Sequence, residues 1–394
     1  MPRNTQILLA SRPQGEATVD NFQLVVTETP PLQEGQVLVR HHYLSLDPYM
    51  RGRMNAGKSY APPQPLGEVM IGATVGEVVE SRHPDYAVGD QVVGMGGWQE
   101  YSVVDARQPG VLRKVDMREG ACRTLGVDSE NAPRRGQFLP DSPPHSGAMG
   151  QEDGKKWAAA AHSQPTIPKS DRLLMPLSYY LGAVGMPGVT AWYGLVKIIA
   201  PKAGDTLVVS AATGAVGSAF AALAKARGCR VVGIAGGSEK CRYALDALGF
   251  DACIDYKLHQ GDTQSLARAL QQDCPQGIDG YFENVGGWIM DAVMLQMNAF
   301  SRMAVCGMIA GYDGQPLPMR YPALILTQRM RLEGFIVSEH TDVWPQALQE
   351  LTELVASGKL RPRETIAQGI AAAPEAFLGM LKGKNLGKQL VKLV

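Results

Sequence analysis

The chain has 394 residues, two to three times a typical domain, so it has material for two cores and a cleft between them. Its 38 Lys and Arg balance 38 Asp and Glu, which leaves no basic excess to collect nucleic acid or anionic lipid. No apolar run approaches the roughly 18 residues that cross a bilayer, so a nucleic-acid partner and a membrane span are both disfavoured.

At the N-terminus, the run Ile7-Leu8-Leu9-Ala10 stops at Ser11-Arg12-Pro13, too short for a signal-peptide core, and the expected location is the cytoplasm. From about Gln6 to Asp116, short Val-rich runs at Val37 to Val39, Val75 to Glu80 and Val88 to Gly94 are broken by Gly, Pro and Asp. They read as an all-β unit with irregular loops. His41-His42, just after the run Gln36 to Arg40, read as a solvated strand end. Residues 117–170 differ in texture. Of these 54, 12 are Pro or Gly and only 8 are Leu, Ile, Val, Met, Phe, Tyr or Trp, too few for a core, so the segment reads as a long loop or disordered insertion. Its seven basic and six acidic residues favour a solvated linker over a nucleic-acid arm, and Lys155 to Ala161 is one short helix candidate.

From about Leu177 to Val337, strand-length apolar runs alternate with helical patterns, the mark of a parallel sheet with crossover helices. The candidate strands are Thr206 to Ser210, Arg230 to Ala235, Ala252 to Tyr256, Gly280 to Asn284, Met303 to Cys306 and Leu332 to Val337. Six such strands match a full doubly wound dinucleotide-binding sheet. The six cysteines show no Cys-x-x-Cys pair and the seven histidines no His-Glu-x-x-His, so reduced thiols are expected and no metal site.

The strand at Thr206 to Ser210 runs into Ala211-Ala212-Thr213-Gly214-Ala215-Val216-Gly217-Ser218 and then a helical pattern from Ala219 to Arg227. Such a turn lets the backbone approach a pyrophosphate resting on the helix N-terminus. The second strand ends in Gly236-Gly237, with Lys240 one turn on. An acidic residue at that place suits a bare ribose diol, whereas small residues and a cation suit a 2′-phosphate, so NADPH is preferred to NADH. Glu239 dissents, although an acid at a helix start also suits the helix dipole.

Five strings then carry a resemblance: Leu46 to Met54 (LDPYMRGRM), Gly185 to Ala191 (GMPGVTA), Ala212 to Gly217 (ATGAVG), Glu283 to Gly287 (ENVGG) and Gly383 to Lys388 (GKNLGK). With them the chain resembles the zinc-independent medium-chain dehydrogenase/reductases, in the leukotriene/prostaglandin and alkenal double-bond reductase branch, and within it the bacterial NADPH-dependent curcumin-reductase-like proteins. The match covers about residues 6–116 and 172–394; in the family only a few residues join these stretches, so residues 117–170 depart from it. The resemblance implies an α/β fold with a GroES-like β-rich catalytic domain, residues 1–116 plus a C-terminal return at 339–394, around a Rossmann domain at 171–338. It implies a homodimer, and an NADPH site made by Gly214, Ala215, Val216, Gly217, Lys240, Tyr256, Asn284, Cys306, Tyr312, Phe335, Ile336, Val337 and Asn385.

Zinc alcohol dehydrogenases of this superfold polarise oxygen with a Cys/His-bound metal. Here Glu68 has no neighbouring His and no Cys precedes residue 122, so those ligands are missing. The acceptor left for a hydride is the β-carbon of an enone or enal, whose developing enolate needs a hydrogen-bond donor and, at the α-carbon, a proton. Tyr312 is the first candidate donor and Tyr49 the second, with Tyr49 and Tyr60 the candidate substrate contacts. Tyr60 reads equally as a rim cover. A quinone reductase of the same superfamily and a non-catalytic NADPH-binding protein are the alternatives.

Overall fold

The computed structural model describes residues 2–57, 59–108, 110–115 and 175–394. The expected insertion at 117–170, with its candidate helix, lies outside the described residues.

The N-terminal strands β1 (Arg3–Leu9) and β2 (Phe22–Glu28) form an antiparallel pair. A larger sheet contains β3 (Gln36–Ser45), β4 (Thr74–Ser81), β5 (Gln91–Gly94), β6 (Tyr101–Asp105) and β7 (Leu112–Lys114). The short helix α1 (Tyr49–Arg53) follows β3. After residue 175, α2 (Met186–Tyr193) leads into a second sheet of β8 (Thr206–Ser210), β9 (Arg230–Ala235), β10 (Ala252–Asp255), β11 (Ile278–Glu283), β12 (Met297–Val305) and β13 (Arg331–Gly334). All pairings in this sheet are parallel, in the order β10-β9-β8-β11-β12-β13. That is the 3-2-1-4-5-6 arrangement of a complete dinucleotide-binding domain, whose strand order reverses between β8 and β11.

The strands of this sheet are apolar throughout because both faces are covered. Leu207 and Val209 of β8 point into one hydrophobic cluster while Val208 points into another; Val231 and Val232 of β9, and Phe282 and Tyr281 of β11, divide the same way. The covering helices include α3 (Ala215–Ala226) and α4 (Ser238–Leu248), after β8 and β9. The chain then returns to the first sheet: β14 (Glu364–Gln368) pairs with β15 (Lys388–Lys392), and β15 pairs with β3, giving the order β14-β15-β3-β4-β5-β7 with β6 also on β3.

Several boundaries differ from the sequence reading. β12 begins at Met297 rather than Met303, because its first half carries Asn298 and the exposed Phe300, which no apolar run marks. β13 stops at Gly334 and β10 at Asp255, and Tyr256 opens a 3-10 turn instead of ending the strand. α3 starts at Ala215, four residues earlier than expected, since small residues carry no periodic signal. His41 corrects a reading: it is not at a solvated strand end but 2% exposed inside β3, its Nε2 2.9 Å from Ser102 Oγ. β3 runs on to Ser45 between partner strands, and burial, helped by His42, holds the His41 imidazole far below its ordinary pKa, at about 3.

Candidate active site

A cavity of about 1030 Å³ lies between the two sheets' domains, and every residue singled out above as catalytic, substrate-contacting or cofactor-binding is on its wall.

At the end of β8 the backbone turns through Ala211, which has a left-handed φ of 50°, to Gly214, which precedes α3. A Cβ on Gly217 would sit 2.5 and 2.6 Å from the carbonyl oxygens of Ala212 and Ala211, so only glycine fits there. No side chain caps α3, and its first-turn residues Ala215, Val216 and Gly217 line the cavity, where the N–H groups of a helix start suit an anion.

The neighbouring end of the cavity is cationic. Lys240 on α4 and Lys257 both line it, and Lys240 is held below the usual lysine range by burial first and by the Lys257 charge second. Its Nζ donates to the Gly383 carbonyl at 2.7 Å. Gly236 explains how these groups converge: a Cβ there would lie 3.0 Å from the Tyr256 hydroxyl and 3.1 Å from Lys257 Cε. Glu239 is exposed and lies off the cavity wall. The donors therefore suit a diphosphate with an additional phosphate beside it, which two cations and the Tyr256 hydroxyl can neutralise and bind.

Beyond the turn, Asn284 Nδ2 donates to the Ser210 carbonyl at 2.8 Å, and Cys306 Sγ donates to Asn284 Oδ1 at 3.0 Å. Underneath, the fully buried Glu283 accepts from Ser210 Oγ at 2.8 Å, Tyr281 at 2.9 Å and the Val285 N–H at 2.5 Å. Burial pushes Glu283 up and these donors pull it down. The Cys306 thiol is pushed up strongly by burial and by Glu283, so it stays protonated and serves as a small donor rather than a nucleophile. Phe335, Ile336 and Val337 follow β13 along the wall, with Phe335 tilted against Tyr193 at 5.1 Å. Asn385 approaches from the C-terminal return, its Nδ2 bonded to the Gly387 carbonyl at 2.7 Å.

Tyr312 sits after β12, its hydroxyl 3.5 Å from where a Gly307 Cβ would be. Burial pushes it up to about 12. Its loop is clasped by the N-terminal domain. Arg51 on α1, only 1% exposed, donates from Nε to Asp313 Oδ1 at 3.0 Å, from Nη1 to Asn55 Oδ1 at 2.7 Å and from Nη2 to the Gly15 carbonyl at 2.5 Å. Asn55 Nδ2 then donates to the Tyr312 carbonyl at 3.4 Å.

On the far wall, Tyr49 is raised by burial and, secondarily, by Asp47. Asp47 is bonded to Lys388 at 2.5 Å in a buried ion pair and also accepts from Ser45 Oγ. Tyr60, 53% exposed, stands at the mouth. Sequence reasoning missed Lys257, Arg53, Asp47 and Lys388. Lys257 had a signal, a second lysine just past the third strand, while the Asp47–Lys388 pair joins residues 341 positions apart and had none. Among the described residues, no group of three or more His, Cys, Asp or Glu is placed to hold a metal ion.

Residues 5–112 match the family described as N-terminal domain of oxidoreductase, and residues 215–353 the one described as zinc-binding dehydrogenase. The chain is 40% identical over 398 residues to an NADPH-dependent curcumin reductase of Escherichia coli (strain K12), covering 99% of this chain and 97% of that protein. The chain belongs to the zinc-independent medium-chain dehydrogenase/reductases, in their alkenal/prostaglandin reductase branch. This medium-chain reductase is also 34% identical to a 2-alkenal reductase (NADP(+)-dependent) of Nicotiana tabacum, over 98% of this chain and 97% of that one. Its fold superposes on the crystal structure of CurA from Vibrio vulnificus in complex with NADPH with a TM-score of 0.79, at 39% identity and with 100% and 99% of the two chains covered.

Proposed function

We propose that this medium-chain reductase reduces the C=C bond of α,β-unsaturated ketones and aldehydes, with NADPH bound along the Gly214 to Gly217 turn and its 2′-phosphate at Lys240, Lys257 and Tyr256. The observation that carries the reading is one cavity holding an uncapped phosphate cradle and a cation pair at one end and a buried, protonated tyrosine beside Asn284 and Cys306 at the other. NADPH supplies a hydride, which the β-carbon of the substrate accepts.

Tyr312 then has a defined task. Its hydroxyl keeps its proton at neutral pH, so it can donate a hydrogen bond to the substrate oxygen as negative charge develops there. Tyr49, held protonated more strongly still, faces the same space from the catalytic domain, while Asn284, Cys306, Phe335 to Val337 and Asn385 shape the wall against which the nicotinamide end lies. Water reaching the cavity past Tyr60 supplies the α-carbon proton. A cytoplasmic location belongs to the same reading, and so does a homodimeric assembly, which rests on the family resemblance alone. The test is NADPH oxidation with short enals, long enones and a simple quinone, with product mass measured. Saturated carbonyl products from the enones are expected; turnover of the quinone alone would make the protein a quinone reductase, and tight NADPH binding with no turnover would make it a binding module.

A further inference from the structure

Beside the cationic end of the cavity lie two thiols that the cofactor reading does not use. Cys241 is the residue after Lys240 on α4, 9% exposed, and Cys253 is the second residue of β10. Alternation along β10 sends Ile254 to one hydrophobic cluster and Cys253 to the other, the one that holds Cys241, and α4 packs on β10 there. The Cys253 thiol donates a hydrogen bond to Cys241 Sγ. That bond holds Cys241 below the ordinary thiol range, against burial and the Asp255 charge, and together with burial it pushes Cys253 up. A place near the start of α4 favours a Cys241 thiolate in the same direction. One thiol disposed to ionise, touching a second that is part-exposed, is the arrangement of an attacking and a resolving cysteine. Both flank phosphate-binding groups: Lys240 precedes Cys241, and Tyr256 and Lys257 follow Cys253 closely on the cavity wall. Asp255 Oδ1 accepts from the N–H groups of Gly237 at 2.8 Å and Lys257 at 3.0 Å, and so ties the start of α4 to the end of β10.

We propose that Cys241 and Cys253 are a modification site, a reversible disulfide closed by hydrogen peroxide, and that closing it loosens NADPH at its 2′-phosphate. This rests on the placing of that phosphate at Lys240, Lys257 and Tyr256. The Cys241 thiolate attacks one peroxide oxygen and becomes a sulfenic acid, and the other oxygen leaves as water. The Cys253 sulfur then attacks the sulfenic sulfur, and its proton leaves with the hydroxyl as a second water. Two thiols lose two hydrogens and two electrons, and the O–O bond takes them up; a dithiol reverses the step by becoming a disulfide itself. The bond draws the sulfurs from hydrogen-bond distance to about 2.05 Å, which pulls the first turn of α4 toward β10. Lys240 moves with the turn and Tyr256 with the strand, so the charge-assisted contacts to the phosphate, which need good geometry, are partly lost. The Gly214 to Gly217 turn and Tyr312 lie on other elements and keep their places.

The experiment treats the full chain with hydrogen peroxide, removes the excess with catalase and maps disulfides by mass spectrometry of a non-reduced digest. Cys241 should be linked to Cys253. The dissociation constant of NADPH, read from cofactor fluorescence, should rise about tenfold and that of NADH by less than about twofold. Dithiothreitol should reverse both changes. Cys241→Ser and Cys253→Ser should bind NADPH as reduced wild type does and keep that affinity through peroxide. Cys274→Ser, whose thiol lies in the opposite cluster and is pushed up by burial to about 12, should respond as wild type does. Linkage adds a readout that needs no turnover: with tenfold weaker binding to the disulfide form, saturating NADP+ should raise the midpoint potential of the pair by about 30 mV. Absence of the Cys241–Cys253 link, or a loss of affinity that survives in Cys253→Ser, overturns the proposal. So does a link that leaves the NADPH affinity unchanged, and equal losses for the two cofactors overturn the route through the 2′-phosphate. Reduced wild type that binds NADPH no tighter than NADH would instead remove the phosphate assignment at Lys240 on which the proposal rests.

Discussion

Burial keeps the Tyr312 hydroxyl protonated, and the role proposed for it has a separable signature. Tyr312→Phe retains the ring and removes the donor, so the loss should fall on kcat, by roughly ten- to a thousandfold, with NADPH affinity shifted by only about 1 kcal/mol. Steady-state kinetics with cofactor titration checks this; a collapse of NADPH affinity with turnover per bound cofactor unchanged would make Tyr312 a cofactor-positioning residue. At the opposite end, Lys240→Ala should cost about 1.5 to 3 kcal/mol of NADPH binding, roughly 10- to 150-fold, and leave NADH binding as it was. Equal losses for the two cofactors would count against a 2′-phosphate at Lys240. Residues of this kind were legible because their chemistry is local: Lys240 follows a strand end and Gly214 to Gly217 follow another. The Asp47–Lys388 pair acquires meaning only when α1 and β15 are folded onto the Rossmann sheet.

At the level of elements, the clasp between α1 and the Tyr312 loop ties the two domains together across the cavity. Asp313 is 42% exposed, so Asp313→Ala removes the Arg51 contact with little damage to packing. If the clasp acts by aiming the Tyr312 hydroxyl, Asp313→Ala should lower kcat about tenfold in wild type and less than about twofold in a Tyr312→Phe background. Fully additive losses would show that the clasp serves something other than that hydroxyl. Element boundaries were readable where a strand is covered on both faces, as in β8 and β9, because burying both faces demands an unbroken run of apolar, mostly β-branched residues. They were not readable in the first half of β12, where Asn298 and the exposed Phe300 interrupt the apolar run, or in the second half of β3, where His41 and Tyr43 pair with β4, which only the fold brings alongside.

For the whole molecule, the change from Val-rich short strands to alternating strands and helices announced the two sheets, and six strand-length runs matched a full dinucleotide-binding sheet. How the C-terminal stretch returns depended on the family resemblance, since β14 and β15 carry no local mark of their partner β3. Val115 and Met175, on either side of the stretch with too few apolar residues, pack in the same hydrophobic cluster. Replacing residues 117–170 with a short Gly/Ser linker should therefore leave a folded protein that binds NADPH, measured by circular dichroism and cofactor titration. An insoluble product would mean that the stretch is needed for packing.

The return of β15 to β3 also sets a timetable for the nascent chain. Tyr43 to Ser45 pair with Leu390 to Lys392, about 350 residues later, so that part of β3 leaves the ribosome without its neighbour. At the usual 5 to 20 residues per second the gap lasts roughly 20 to 70 s. The dinucleotide-binding unit is fully synthesised within that interval, whereas the first sheet closes only once Leu390 to Lys392 have emerged. An unpaired edge of β3 is then what a chaperone, or another unfinished copy, meets first.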